Sequence, residues 1–229
     1  MLQCEVLMVM NRRATCAAGV LFVLAIAAGV READAQVKAG VLIGVNSASL
    51  TIPEALLPVE DLDLSVSVGR RVGLIVGGFV DIPAGKALAI EVGGLFSQKG
   101  SSITISIPGV VSGTADTRIT YLDIPITANV GVAQFSWGKV HLLAGPSIGV
   151  KIGARSKATV EGQSETQDIS DQLPSTDMGL VLGGRVEFKQ GVLAEFRYTH
   201  GFTDLSDGEE SVKNRVYSVL IGYRFGSAR

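Results

Sequence analysis

The chain has 229 residues and a formal net charge of −2, with charged side chains at only 18% of the total, so it offers no basic surface for nucleic acid and no acidic tail. Mean hydropathy is high at +0.37, yet no apolar run reaches the roughly 18 residues of a membrane-spanning helix. Glycine supplies 28 residues, above the usual level of about 7%, which suits either a transmembrane barrel or a glycine-rich soluble β-protein.

Residues 1–35 have the pattern of a secretory signal peptide. Arg12 and Arg13 form a positive start, Ala17 to Gly29 an apolar stretch, and Ala33-Asp34-Ala35 a small-x-small site whose cleavage leaves Gln36 first. The nine residues before Met10 are unlike a leader, which leaves Met1 and Met10 as alternative starts. An uncleaved anchor helix is the other reading, for which the apolar run is short. Cys4 and Cys16 both lie in the leader. Residues 36–229 therefore have no cysteine for a disulfide, a thiolate nucleophile or a metal site.

Beyond the leader, apolar residues alternate with period two, the strand signal. The first strand is expected over 37–45, with Val41, Ile43 and Val45 outward and Lys38, Gly40 and Leu42 inward. A long loop follows, in which Ile52 to Leu57 suits one helical turn. The second strand, 68–82, sends Val72, Leu74 and Val76 outward and Arg71, Gly77, Phe79 and Asp81 inward. Pro83-Ala84-Gly85-Lys86 is a short turn. The third strand, 87–98, has Glu91, Gly93 and Ser97 inward, and a second long loop covers 99–115, where Ile103 to Ile107 could prolong the strand.

The fourth strand, 116–133, places Ile119, Leu122, Ile124 and Ile126 mostly outward and Asp123, Pro125, Thr127 and Asn129 inward. Pro125 lacks a donor, so a ladder bond must be missing there or a bulge must form. The next turn carries the only tryptophan, Trp137, a residue suited to a membrane interface. The fifth strand, 139–153, has His141, Leu143, Ser147 and Lys151 inward. The polar segment 154–176 is expected to be a mobile, solvent-exposed loop. The last strand, 214–225, turns Tyr217, Val219, Ile221 and Tyr223 outward and Ser218, Leu220 and Arg224 inward after an acidic loop at 206–213.

The sixth and seventh strands, within Met178 to Leu205, carry the strongest pattern. Met178, Leu180, Leu182, Val186 and Phe188 share one face, continued by Val192, Ala194, Phe196 and Tyr198. The other face mixes glycine with Arg185, Glu187, Glu195 and Arg197. A soluble barrel fills its inside with bulk; here the bulky face is continuous and the opposite face is small and charged, which suits a barrel whose outside meets lipid. Keeping Phe188 and Val192 on one face requires a three-residue turn, Lys189-Gln190-Gly191, with Gly191 left-handed. That register sets Arg185 opposite Glu195 and Gly183 opposite Arg197.

The expected fold is thus all-β: an eight-stranded antiparallel up-and-down transmembrane β-barrel over 36–229. Connections alternate long and short, as short periplasmic turns alternate with long external loops in outer-membrane barrels. Closure removes the open edges that lipid cannot satisfy.

With these segments in place, the chain resembles the PorT-type outer-membrane β-barrels, also grouped as porin family proteins. The resemblance lies in EVGGLFSQKG at 91–100, YLDIPI at 121–126, AGPSIG at 144–149, EFRYTHGFTDL at 195–205 and KNRVYSVLIGYRF at 213–225. It implies a small barrel in the outer membrane and carries no activity. Such barrels are assembled by machinery that reads a terminal aromatic residue. The corresponding Phe225 is here followed by Gly226-Ser227-Ala228-Arg229.

The candidate site residues are the inward charges Lys38, Arg71, Asp81, Glu91, Asp123, Lys151, Arg185, Glu187, Glu195, Arg197 and Arg224. They suit a selectivity ring or proton path, or a salt-bridged plug; eight strands leave an interior just wide enough for side chains, which favours the plug. No catalytic, cofactor or metal residue is assigned. His200 with Ser206, Asp204 and Asp207 resembles a lipid-modifying hydrolase site only loosely, because parity turns His200 outward and no nucleophile motif frames Ser206. Two histidines do not make a metal site. The expected role is structural or interactive, with the external loops as contact surface; a narrow porin is the alternative and a hydrolase the next. Expected partners are the outer-membrane lipid bilayer and the barrel assembly machinery, with no nucleic acid, and the chain is expected to be monomeric.

Overall fold

The computed structural model describes residues 37–51, 65–107, 111–160, 162–204 and 212–226. The leader, the helical turn expected at Ile52 to Leu57 and the acidic residues Asp207, Glu209 and Glu210 lie outside them.

Among the described residues nine strands form: β1 Lys38–Thr51, β2 Ser65–Pro83, β3 Leu88–Ile107, β4 Val111–Gln134, β5 Gly138–Val160, β6 Gln163–Asp168, β7 Thr176–Phe188, β8 Val192–Gly201 and β9 Lys213–Arg224. All pairings are antiparallel, and β1–β9 and β4–β5 close a ring of eight strands that leaves out β6. The fold is an eight-stranded antiparallel barrel, with a ninth strand attached to the upper part of β5. Both turns β2–β3 and β4–β5 are short, as is β7–β8, where Gly191 has φ +85° and its N–H donates to the Phe188 carbonyl at 2.9 Å. These turns share one end of the barrel with the termini of β1 and β9.

The two faces of the wall differ in chemistry. Val72 is 69% and Ile221 63% exposed, whereas Arg185 inside is 1% exposed. A soluble barrel would invert this, since burial of apolar surface is what stabilises a core in water. The interior also has an apolar layer, formed by Leu42, Ile75, Phe79, Leu95, Leu193 and Leu220. Between Val92↔Ile126 and Leu95↔Asp123 the β3–β4 ladder is interrupted, so Ile124 and Pro125 miss their rungs. A Cβ on Gly93 would stand 2.9 Å from Pro125 Cγ, so the proline ring occupies the room that this glycine leaves.

Three expectations need correction. The segment 154–176 is not a plain loop: β5 runs to Val160, pairs with β6, and a 3-10 turn at Ser170–Gln172 follows. Its alternation was hidden because a hairpin standing in water needs no apolar face. Ile119 points inward and is 1% exposed, packed with Tyr121 and Ala154 beneath Ile169 and Leu173. It falls on the same odd positions as Tyr121 and Asp123, and only its apolar character suggested the lipid side. The loop expected over 99–115 is strand for most of its length, β3 running to Ile107 and β4 starting at Val111, and Lys99 at its start is buried on β3.

Candidate functional site in the barrel lumen

Four carboxylates and three guanidinium groups from five strands meet inside the ring. Arg185 on β7 donates through Nε to Glu195 Oε2 on β8 at 2.7 Å and pairs through Nη2 with Glu91 on β3. Its Nη1 lies 3.7 Å from Asp81 Oδ2 on β2. Arg197 donates to Glu91 Oε1 at 2.8 Å and to Glu195 Oε1. Arg224 on β9 joins Asp81, at 3.5 Å, to Glu187. His141 Nε2 stands 3.4 Å from Glu187 Oε2. The guanidinium of Arg185 also lies over the Phe79 ring at 4.7 Å.

Alternation along each strand explains the convergence. Arg185 and Glu187, and likewise Glu195 and Arg197, are two residues apart and share a face. The lumen is narrow enough for Glu91 to reach Arg197 from the other side of the ring. Small residues give the long chains space: Gly183 stands opposite Arg197, and a Cβ there would lie 3.4 Å from Arg197 Cγ. Desolvating so many ions is costly, and only mutual pairing offsets it.

The remaining expected residues take other positions. Asp123 accepts from Lys99 Nζ at 2.9 Å, and Asp177 Oδ2 lies 3.5 Å from the same ammonium. Asn214 donates to Asp177 at 2.9 Å, and Lys99 sits 4.7 Å over the Tyr121 ring. Arg71 reaches Asp116 at 3.3 Å, near the long-loop end. Lys151 donates to the carbonyls of Ser170 and Leu173, so it holds the 3-10 turn rather than a carboxylate. Lys38 stands opposite Asp81 and lines the mouth at the short-turn end.

Sequence reasoning missed Lys99, Asp177 and the polar bridge at Asn46, whose Nδ2 donates to Ser97 at 2.8 Å and whose Oδ1 accepts from Ser218 at 2.7 Å. Their signal was phase: Lys99 continues the inward positions Glu91 and Ser97, and Asn46 continues Leu42 and Gly44. Strands drawn too short hid it.

Free space inside is small. A gap of about 20 Å³ lies among Lys99, Asp123 and Arg197. A larger cavity of about 350 Å³ opens at the short-turn end, lined by Lys38, Asp81, Lys86, Lys139, His141 and Arg224. Among the described residues no group of three or more His, Cys, Asp or Glu side chains is placed to hold a metal. His200 is on the outward face, hydrogen-bonded to Tyr198 at 3.2 Å, while Ser206 and Asp207 lie outside the described residues.

The chain is similar in fold to several solved outer-membrane barrels. The attachment invasion locus protein Ail of Yersinia pestis is 15% identical, covering 82% of this chain and 98% of its own, with a TM-score of 0.41. Neisserial surface protein A is 13% identical, covering 83% and 99%, with a TM-score of 0.44. OprG of Pseudomonas aeruginosa is 10% identical, covering 82% and 94%, with a TM-score of 0.31. No curated protein sequence matches the chain. Residues 30–207 match the family described as the outer membrane protein beta-barrel domain, which is the majority of the chain. The protein is therefore a member of the outer membrane protein β-barrel family, resident in the outer membrane with its apolar wall against lipid.

Proposed function

We propose that this barrel is a closed membrane platform: its lumen is plugged by paired charges, and the long-loop end is its contact surface. The reading rests on one observation, the interior gap of about 20 Å³, which has room for about one water molecule. A conducting path would need continuous water past Arg185, Glu91, Glu195 and Arg197, and these side chains fill that level. The upper parts of β3, β4 and β5 with β6 supply a projecting sheet suited to partner contact. In this proposal residues 1–35 are removed as a leader, the barrel assembly machinery takes the strand ending at Phe225, and the barrel is a monomer without enzymatic activity. The PorT-type resemblance remains a likeness of segments and brings no activity to it.

A narrow pore for small solutes is the second reading, favoured by the cavity of about 350 Å³ at the short-turn end. Planar-bilayer recording on the refolded full-length mature protein decides between them. A plugged barrel gives no steady conductance steps, and reproducible single-channel steps that scale with salt overturn the plug.

A further inference from the structure

Around the long-loop rim, the outward wall changes from apolar residues to arginine. On β2 the exposed Val72 is followed, two positions further out, by the exposed Arg70. On β9, Arg215 lies two positions beyond the exposed Tyr217. On β4, Arg118 lies four positions beyond Leu122, and on β5, Arg155 lies three beyond Ile152, across the register shift at Thr120/Tyr121. All four arginines are exposed, and each sits on the side that carries the lipid-facing residues below it. The short-turn rim is different: its exposed cations are Lys86, Lys139 and Lys189, beside Phe135 and Trp137.

The arginines are arranged as well as placed. Arg118 stands directly opposite Arg155 across the β4–β5 ladder. Like charges directly opposite on one face of a sheet are destabilising, unless an anion lies between them. Arg118 has Gly100 as its other cross-strand neighbour, so no side chain there meets its charge, and it makes no ion pair among the described residues. Arg155 has Asp168 as its other neighbour, so the row holds two cations and one acid. Asp116, one row further out, is engaged by Arg71 at 3.3 Å. On the other side of the ring, Arg70 donates to Ser47 Oγ at 2.9 Å and lies 4.7 Å over the Tyr217 ring, which fixes its guanidinium flat against the wall. Arg215 stands opposite His200.

We propose that this girdle, with Arg118 and Arg155 at its centre, binds the phosphate group of a lipid in the outer leaflet. Three things support a lipid rather than a free anion. The arginines face outward from a wall whose next residues lie in hydrocarbon. They stand at the level where headgroups begin. Guanidinium forks suit phosphate oxygens better than ammonium groups do, and a phosphate between two facing guanidiniums removes their repulsion.

The test uses the folded mature protein in detergent, with lipid A as probe and native mass spectrometry to count retained lipid. Folding of each variant is first confirmed by the mobility of boiled and unboiled samples. The parent protein retains bisphosphorylated lipid A, and R118Q/R155Q retains it with roughly tenfold lower affinity. R118K/R155K falls between the two, because charge persists while the fork is lost. K189Q, at the opposite rim, binds as the parent does. Should the double glutamine variant fail to fold, R118Q alone still shows part of the loss. Equal retention by R118Q/R155Q and the parent overturns the proposal, as does equal retention of dephosphorylated lipid A. Displacement of the lipid by inorganic phosphate at equal phosphate concentration overturns the assignment to lipid.

Discussion

Arg185 on β7 and Glu195 on β8 face each other across one rung of the barrel wall and are joined at 2.7 Å, with Arg185 only 1% exposed. The pair is the hub of the lumen, since the arginine also meets Glu91 and Asp81 while the glutamate also meets Arg197. Replacing Glu195 by Gln removes a charge that two guanidiniums share. Leaving buried ions unpaired costs about 3–5 kcal/mol. E195Q is expected to unfold at a markedly lower temperature when followed by the gel shift of boiled against unboiled samples. Heat resistance equal to the parent would refute the pairing as a source of stability.

Lys99 lies between Asp123 and Asp177 and is the only cation pairing with either among the described residues. K99M leaves two carboxylates facing each other in a dry space, at a cost of about 3–5 kcal/mol. D123N with K99M should recover part of the loss, because one of the stranded charges is gone. Urea refolding of the single and double variants in lipid vesicles measures this, and no recovery would count against direct coupling.

Gly100 has φ +144°, and a Cβ there would come within 2.0 Å of the Thr117 carbonyl oxygen and 3.2 Å of Arg71 Cδ. Strain of that kind costs about 1–3 kcal/mol even without the clash. G100A should therefore destabilise the barrel and displace Arg71 from Asp116. Gly94, where a Cβ meets nothing within 4 Å, is the control: G94A should leave the melting temperature nearly unchanged.

Lys151 holds the 3-10 turn by donating to the carbonyls of Ser170 and Leu173, while Ile169 and Leu173 pack on Ile119, Tyr121 and Ala154. K151M should release the turn without opening the ring below it. Limited proteolysis of the protein in vesicles is expected to cut within 162–175 at least roughly tenfold faster, since the variant loses two charge-assisted hydrogen bonds and a loss of about 1.4 kcal/mol already gives that factor. Cleavage at the parent rate would show that the apolar contacts alone keep the turn in place.

Trp137 stacks on Phe135 at 5.2 Å and leans on Phe188 at 5.8 Å, in the aromatic cluster of the short-turn rim. Amphipathic rings of this kind settle at the headgroup level. Its fluorescence should be quenched more by lipids brominated near the glycerol than by those brominated at the chain ends. Stronger quenching from the chain ends would place that turn deeper than the fold implies.

The ring of eight strands and the register of the β7–β8 hairpin were legible because alternation is strict wherever one face meets lipid, whereas the long loop expected over 99–115 is a hairpin in which β3 and β4 are joined over 108–110. Gly191 and the parity of Phe188 and Val192 were enough to set Arg185 against Glu195. Legibility failed where lipid ends. β6 carries Gln163–Asp168, exposed along its whole length, and no apolar face marks such a strand. The interior of the upper barrel was misjudged for a related reason: Ile119 is apolar and buried among protein side chains, and composition alone does not distinguish that from exposure to lipid. Lys99 and Asp177 were in phase with their strands, but strand ends drawn at the first polar run hid them.

The exchange of partners along β5 has a further consequence. Up to Val150 the strand bonds to β7, and from Arg155 onward it bonds to β6 instead, which leaves the outer edge of β6 without a neighbouring strand among the described residues. Hydrocarbon does not tolerate an unsatisfied peptide edge, whereas water solvates one readily. The switch therefore works as a depth gauge: the hydrocarbon must end below the level of Arg155 on that side of the wall, whatever the thickness of the surrounding leaflet.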